Sequence, residues 1–135
     1  MSCVVDASVI VSYLHSGDSN HGASRNWLHR QVEGGQLLAA PILLIIEVSA
    51  AVARRTRSSA LGHQAINNLQ RLPMLRLVAI DHRLGLSASK LGADLYLRGA
   101  DAVYVALALQ LSLPLVSWDK EQLERASRAI NVQKP

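Results

Sequence analysis

The chain has 135 residues, of which 50% are hydrophobic and 18% are charged, and its formal net charge is +4. This composition excludes a disordered or fibrous chain and predicts one globular domain over residues 1–135. Cys3 is the single cysteine, which excludes an internal disulfide and a cysteine-based zinc cluster, while the mild positive charge is compatible with an anionic partner such as nucleic acid.

Short apolar segments alternate with segments of helical period along the whole chain. The apolar segments resemble strands covered on both faces, and they are residues 3–6, 37–40, 75–80, 113–117 and 130–132. The helical segments are residues 8–15, 23–34, 42–56, 60–72, 82–97, 101–111 and 120–129. This alternation predicts an α/β fold, a three-layer α/β/α sandwich whose central parallel sheet has about five strands.

The apolar content of the chain does not predict a membrane protein. The first apolar run lacks a basic region before it and meets Asp6 almost at once, unlike a signal peptide. The longest apolar stretch, residues 37–53, is interrupted by Pro41 and Glu47 and is short for a membrane span. We therefore expect no membrane association and, with one cysteine, a reducing cytoplasmic compartment.

Three aspartates occupy positions where ligand binding and helix capping are both expected. Asp6 ends the first predicted strand and Asp119 follows the fourth, so both belong at the edge of the sheet where α/β proteins bind ligands. Asp101 begins a predicted helix after Gly99. Aspartate is also a favoured N-cap, and "DKEQ" at 119–122 has the form of a capping box. The residues alone leave both interpretations open.

Glu47 has no capping role to explain it. It lies within "LLIIEVSAAVARR", residues 43–55, in the second turn of a predicted helix that otherwise looks buried. An ionised carboxylate is strongly disfavoured in an apolar interior unless it is paired. Glu47 therefore either forms a salt bridge with an arginine from another element or contributes to an acidic site.

Four features together carry a family resemblance. They are "VVDASVIV" at residues 4–11, a glutamate in a helix after the second strand, "LRGADAVYVALALQLSLPLVSWD" at residues 97–119, and an acid at the end of the fourth strand. On these features the chain resembles the PIN-domain family over essentially its whole length, and within it the VapC-type toxins of bacterial and archaeal toxin-antitoxin pairs.

The resemblance implies a fold, an activity and a set of site residues. The fold would be an α/β/α sandwich with strand order 3-2-1-4-5, and the activity that of a magnesium- or manganese-dependent endoribonuclease inhibited by a cognate antitoxin. The family's acidic positions correspond here to Asp6, Glu47, Asp101 and Asp119. Ser8 and Ser117 fall where the family commonly has a serine or threonine beside the acids. Trp118 departs from the smaller or aliphatic residue that is usual there, which bears on substrate preference.

The chemistry of these residues agrees with that implication. Oxygen ligands favour hard cations such as Mg²⁺ or Mn²⁺, and none of the five histidines lies in a zinc-binding spacing such as HExxH. We expect Asp6 and Asp101 to be the main metal ligands, with Glu47 and Asp119 completing the site directly or through water. Ser8 and Ser117 would orient the acids by hydrogen bonds. The expected reaction is cleavage of RNA by metal-activated attack of water, leaving 5′-phosphate and 3′-hydroxyl ends.

The resemblance also implies protein partners. We expect the antitoxin to occupy a groove walled by residues 8–15 and 42–72. Family resemblance and the high apolar fraction favour a homodimer as well. Arg54, Arg55 and Arg57 could complement the end of a helix or bind phosphate, and Trp118 could be a core residue or stack on a base.

Other classes of function are compatible with parts of the pattern. A catalytically silent PIN-like binding module would be favoured if an acid were missing, and a PIN nuclease could process RNA outside a toxin-antitoxin pair. A haloacid-dehalogenase-type phosphatase would need a second aspartate where Ser8 stands. A response-regulator receiver would use Asp81 as phosphoacceptor, but "DHRL" is typical of an N-cap and the early acidic pair is absent.

Overall fold

The computed structural model describes residues 2–135, which form five strands and seven helices. The strands are β1 Cys3–Val5, β2 Leu38–Pro41, β3 Leu75–Val78, β4 Leu115–Val116 and β5 Val132–Gln133. The helices are α1 Ala7–Leu14, α2 His21–Glu33, α3 Leu43–Thr56, α4 Ser59–Gln70, α5 His82–Leu95, α6 Gly99–Leu111 and α7 Lys120–Ala126. None of these helices combines the length and apolarity needed to cross a membrane.

The strands form one parallel sheet in the order β3-β2-β1-β4-β5. In the centre, Val4 of β1 pairs with Ala39 of β2 on one side and with Leu115 of β4 on the other. The chain runs outward from β1 through β2 to β3, and then returns to the other side of β1 with β4. The strand order therefore reverses between β1 and β4, and the predicted α/β class and strand order are confirmed.

The centre of the core lies where β1 and helix α6 meet. Val4 and Val5 of β1 are fully buried, and so are Tyr104, Val105 and Leu107 of α6. Because α6 packs against strands β1, β2 and β4, it is apolar nearly all round. Cys3 is 2% exposed, as expected of a small buried hydrophobe, and burial raises the pKa of its thiol to about 12.

Two of the predicted element boundaries shift near the acids. Helix α6 begins at Gly99 and not at Asp101, because the extended Arg98, with φ −65° and ψ 151°, already occupies the N-cap position. Asp101 therefore lies within the first turn of α6 and does not cap it. Helix α7 ends at Ala126, three residues before the predicted end at residue 129. Each predicted strand and helix is present and in the predicted order.

Helices α3 and α4 approach each other closely at a glycine. A Cβ atom added to Gly62 of α4 would lie 3.0 Å from both the Ala53 Cβ and the Ser49 carbonyl oxygen of α3. Contacts this short require a shift of backbone or of a rigid methyl group. Because α3 also carries Glu47, the packing at Gly62 helps to set the position of that acid.

We predict that Gly62→Ala lowers the free energy of unfolding by about 1 to 3 kcal/mol, because the added methyl group overpacks the α3–α4 contact. Gly85 is the matched control, since it is likewise the fourth residue of its helix but has no atom within 4 Å of an added Cβ. Gly85→Ala should raise the free energy of unfolding by about 0.5 to 1 kcal/mol. Urea unfolding of both variants tests this, and equal effects would contradict the close-packing argument.

Candidate active site

Asp6 lies directly after β1, at the carboxyl edge of the sheet beside the reversal point. Its carboxylate is the N-cap of α1, because Oδ2 accepts a hydrogen bond from the Ser8 backbone N–H at 3.0 Å. Asp6 is only 6% exposed, and its Oδ1 faces the Gln122 amide Nε2 at 3.4 Å. The prediction that Asp6 caps a helix is thus confirmed. The cap holds the side chain in place and is compatible with a further role of Asp6 as a metal ligand.

Ser117 and Gln122 form a buried hydrogen-bonded network beneath the acids. The Ser117 hydroxyl donates to Gln122 Oε1 at 2.7 Å and lies 3.3 Å from Asp6 Oδ2 and 3.3 Å from the Ser8 hydroxyl. The Asp119 backbone N–H donates to the Ser117 hydroxyl at 3.0 Å. These contacts place Ser8 and Ser117 beside the acids and tie the end of β4 to the end of β1.

Gln122 was not expected to take part in the site. The "DKEQ" pattern predicts a capping box in which its side chain would bond back to the Asp119 N–H. Instead the side chain is fully buried and turns inward to Asp6 and Ser117, and the Asp119 N–H is satisfied by Ser117. Nothing in the sequence distinguishes these two orientations, because the same residue at the same helix position serves both.

Asp119 combines a cap with an ion pair by using one oxygen for each. Its Oδ1 accepts the Gln122 backbone N–H at 2.9 Å and caps α7, as predicted. Its Oδ2 accepts the Arg98 Nη2–H at 2.6 Å. Asp119 is therefore held at the end of β4 on one side and by Arg98 on the other.

Asp101 is the second acid bound by Arg98. The Arg98 Nε–H donates to Asp101 Oδ2 at 3.1 Å. Burial raises the pKa of the Asp101 carboxyl, Arg98 opposes that shift, and the charges of Asp6 and Asp119 add to it, so that the net direction is upward. Arg98 is a second residue that the sequence interpretation missed, although it stands inside the "LRGAD" motif.

Glu47 faces Tyr104 and not an arginine. The Tyr104 hydroxyl donates to Glu47 Oε1 at 2.7 Å, and among residues 2–135 no lysine or arginine forms an ion pair with Glu47. The salt-bridge interpretation is therefore wrong. Tyr104 follows Asp101 by three residues on α6, so one face of that helix carries both groups.

The environment of Glu47 disfavours its charged form. Burial raises the pKa of the Glu47 carboxyl, the Tyr104 hydrogen bond opposes the rise, and the charges of Asp6 and Asp101 add to it. Burial and the neighbouring Glu47 also raise the pKa of Tyr104, which keeps its hydroxyl protonated and able to donate. Three of the predicted site acids thus interact through their charges, as residues of one cluster do.

A groove of about 570 Å³ opens beside this cluster. Its lining includes Ser8, Glu47, Arg54, Arg55, Trp118 and Asp119. Glu47 and Arg54 are seven residues apart on one face of α3, which separates them by roughly 10 Å along the helix. The same groove therefore presents acids that suit a cation and arginines that suit an anion.

Trp118 and the arginines at the end of α3, whose roles the sequence left undecided, have different environments. The Trp118 indole Nε1–H donates to the Ser24 hydroxyl at 2.8 Å, which anchors a ring that is both packed on the core and part of the groove. Arg55 pairs with Asp18 at 3.0 Å, and Arg54 and Arg55 lie in the last turn of α3. Arg57 is the C-cap residue of that helix, with a left-handed φ of 56°.

The donor set fits a hard divalent cation in its chemistry. The acids supply only oxygen ligands, and the pKa values of Glu47 and Asp101 are raised first by burial and further by neighbouring negative charge, which a cation would relieve. Across residues 2–135, however, no three acidic, histidine or cysteine side chains are close enough to hold a metal ion as they stand. Arg98 and Tyr104 instead donate hydrogen bonds to three of the acids, Asp101, Asp119 and Glu47.

We predict that Glu47→Gln leaves the metal-free protein as stable as the parent or more stable. Since the pKa of Glu47 is raised, the folded protein holds that proton more tightly than the unfolded chain, and ionisation of Glu47 opposes folding at neutral pH. The glutamine removes the charge while its amide oxygen still accepts the Tyr104 hydroxyl. Any advantage of the variant should shrink when the pH is lowered from about 7.5 to about 5, because a fall in pH towards the raised pKa of Glu47 protonates the parent and removes the charge that the variant lacks.

Thermal melts in EDTA at both pH values measure this effect. Glu33→Gln is the matched control, because Glu33 is exposed and its change should stay within about 0.5 kcal/mol at either pH. A large drop in the melting temperature of Glu47→Gln at neutral pH would show that the charged form of Glu47 stabilises the fold.

Several solved structures share the fold of this chain. VapBC2 from Rickettsia felis, bound to a promoter DNA fragment, has a TM-score of 0.75 at 12% identity over 99% of this chain and 98% of that chain. VapC20 from Mycobacterium tuberculosis, a sarcin-ricin loop cleaving toxin, has a TM-score of 0.76 at 16% identity over 98% and 99%. A toxin-antitoxin complex from Klebsiella pneumoniae has a TM-score of 0.64 at 16% identity over 90% and 89%.

The TM-scores show that the fold is shared, and at such low sequence identities they show the fold alone. A search of curated proteins found no match to the sequence. A family model gives the assignment directly, since the model of the PIN domain matches residues 3–129. That match spans almost the entire chain and includes all four acids. The chain belongs to the PIN domain family.

Proposed function

We propose that this protein is a magnesium- or manganese-dependent endoribonuclease and the toxin of a toxin-antitoxin pair. PIN domain proteins are in general nucleases. The observation that carries the proposal is that the four acids lie near enough to the reversal point of the sheet for their charges to interact: Asp6 and Asp101 act on Glu47, and Asp6 and Asp119 act on Asp101. Parallel α/β sheets bind their ligands at that point.

The chain's own residues would hold the cation and orient the acids around it. Asp6 and Asp101 are the proposed principal ligands, with Glu47 and Asp119 completing the set. A bound Mg²⁺ or Mn²⁺ would activate the attacking water and neutralise charge at the phosphodiester. Ser117 and Gln122 would fix the Asp6 carboxylate, since both contact it from the buried side.

Glu47 is suited to a further role in handling protons. It is half-buried, its pKa is raised, and it lines the groove in which a phosphodiester would lie. A carboxylate with a raised pKa is a better proton acceptor than an ordinary one at neutral pH. We propose that Glu47 orients the attacking water and accepts its proton, while Tyr104 holds the carboxylate in position.

RNA is the proposed substrate, because the groove also carries cationic and aromatic side chains. Arg54 lies two helical turns from Glu47, where it could bind a phosphate next to the one that is cleaved. Trp118, anchored by Ser24, lies where an unpaired base could stack. The similar protein from M. tuberculosis is a toxin that cleaves the sarcin-ricin loop, which supports an RNA target for this one.

We predict that Asp6→Asn and Asp101→Asn each reduce RNA cleavage by about 100-fold or more, the scale of losing one group that stabilises the transition state. Asparagine is as good an N-cap as aspartate, so Asp6→Asn should keep α1 intact. The products of the parent should carry 5′-phosphate and 3′-hydroxyl ends. Cleavage of RNA in vitro by each purified protein, with and without Mn²⁺, measures the loss of activity. Sequencing of RNA ends after induction of each protein in cells identifies the product ends.

Asp94→Asn is the matched control for these variants, because Asp94 is exposed on α5 and does not line the groove beside the acids, and its loss should leave cleavage unchanged. Ends with 2′,3′-cyclic phosphate would contradict the water-attack mechanism, because they require the RNA 2′-hydroxyl as nucleophile. A soluble, folded parent without metal-dependent cleavage would instead favour the silent binding module.

An antitoxin is the proposed protein partner. The similar structure from K. pneumoniae is a toxin-antitoxin complex. In this chain a groove of about 190 Å³ lies between three helices and has a mixed lining. Its apolar residues are Val11 and Leu14 of α1, Val52 of α3, and Leu61 and Ala65 of α4, and its polar residues are His15, Arg55, Thr56, Gln64 and Asn68. Its walls lie within residues 8–15 and 42–72, the segments predicted for antitoxin binding. The homodimer stays a prediction.

We expect an antitoxin to protect α1, α3 and α4 from amide hydrogen exchange, because an inserted amphipathic segment would bury the apolar residues of the groove between them. The measurement compares amide hydrogen exchange in the free protein with exchange in its complex with the cognate antitoxin. The control region is α5, which contributes nothing to the groove. Protection confined to residues after 113 would contradict this expectation.

A further inference from the structure

Arg98 joins two acids that come from different helices. Its Nε–H donates to Asp101 Oδ2 at 3.1 Å, and its Nη2–H donates to Asp119 Oδ2 at 2.6 Å. Asp101 lies in the first turn of α6, whereas Asp119 caps α7. One guanidinium therefore supplies positive charge to both carboxylates, and no other lysine or arginine among residues 2–135 forms an ion pair with either.

Each oxygen of Asp119 already accepts one hydrogen bond in this arrangement. Oδ1 accepts the Gln122 backbone N–H that caps α7, and Oδ2 accepts an N–H of the Arg98 guanidinium. A cation that binds Asp119 without disturbing the cap of α7 would bind Oδ2, where it would lie against the positively charged guanidinium. Arg98 and a bound metal ion therefore compete for the same atom.

The position of Arg98 allows it to leave. Its side chain is 65% exposed, whereas those of Asp101 and Asp119 are 14% and 27% exposed. An exposed guanidinium regains most of its hydration when it swings into solvent, so ion pairs of this kind are weak. The acids remain behind, partly buried, and would have lost their counter-charge.

We propose that Arg98 is an internal counter-ion that competes with the divalent cation for Asp101 and Asp119, and so sets the affinity of the protein for its metal. This inference rests on the proposed metal dependence. In the metal-free protein Arg98 compensates the two carboxylates. Metal binding then requires Arg98 to move away, which makes the measured affinity lower than the acids alone would give. Removal of Arg98 must accordingly have opposite effects on the metal-free and the metal-bound protein.

Titration calorimetry of the full chain with Mn²⁺ tests the proposal without any measurement of activity. We expect Arg98→Gln to bind Mn²⁺ roughly three- to tenfold more tightly than the parent, the range spanned by two exposed ion pairs. In EDTA the same variant should melt about 2 to 5 °C lower, because Asp101 and Asp119 lose their counter-charge. In saturating Mn²⁺ this difference should vanish or reverse.

Two further variants separate occupancy from net charge. Arg125→Gln also removes one exposed arginine whose guanidinium has two partners, the Glu121 carboxylate at 2.5 Å and the Tyr96 backbone carbonyl, and it should leave the Mn²⁺ affinity within twofold of the parent. Arg98→Lys keeps the charge but lacks the planar fork that bridges two carboxylates, so its affinity should fall between those of the parent and Arg98→Gln.

Each other outcome overturns the inference. Equal tightening by Arg98→Gln and Arg125→Gln would show a general charge effect, and unchanged or weaker binding by Arg98→Gln would show that Arg98 does not compete. In both cases the proposed metal dependence would stand. Absence of Mn²⁺ binding by the parent and by all three variants would overturn the inference and the metal dependence together.

Discussion

The mutual repulsion of carboxylates at one edge of the sheet is the constraint to which the rest of this structure responds. Each acid is compensated by a different device. Asp6 receives a backbone N–H and faces a buried amide, and Glu47 receives a tyrosine hydroxyl. Asp101 and Asp119 share one arginine. Asp6 and Asp119 also cap helices, whereas Glu47 and Asp101 have no capping role, and the proposed divalent cation would relieve the repulsion among these acids.

Helix capping and site formation use the same side chains. A carboxylate has two oxygens, and in Asp119 one caps a helix while the other faces Arg98. The cap fixes the side chain at the end of a strand, where the parallel sheet collects its ligand-binding groups. Capping therefore supplies the rigidity that the proposed metal site would need, and it explains why Asp6 and Asp119 are compatible with both interpretations of the sequence.

The buried network of Ser117 and Gln122 extends this rigidity across the reversal point. It links the end of β1 with the end of β4 through side chains that are fully buried. Helix α6 adds the third support, because one of its faces carries both Asp101 and Tyr104, and Tyr104 is fully buried in the core together with the residues up to Ala108. The position of the acids is thus determined by the packing of the core and not by flexible loops.

The sequence by itself determined the fold class and the order of the elements, and it singled out the four acids as candidates for the site. The alternation of short apolar segments with segments of helical period predicts a parallel α/β sheet, and the ends of the apolar segments place Asp6 and Asp119 at the ends of two strands. Only the tertiary structure decided the partners, namely Tyr104 for Glu47, Arg98 for Asp101 and Asp119, and Gln122 for Asp6. Those contacts join residues up to 116 positions apart, and one glutamine serves equally well as a cap or as a buried bridge. Local periodicity reports which face of an element is buried, whereas the choice between such contacts depends on what the packed elements place opposite that face.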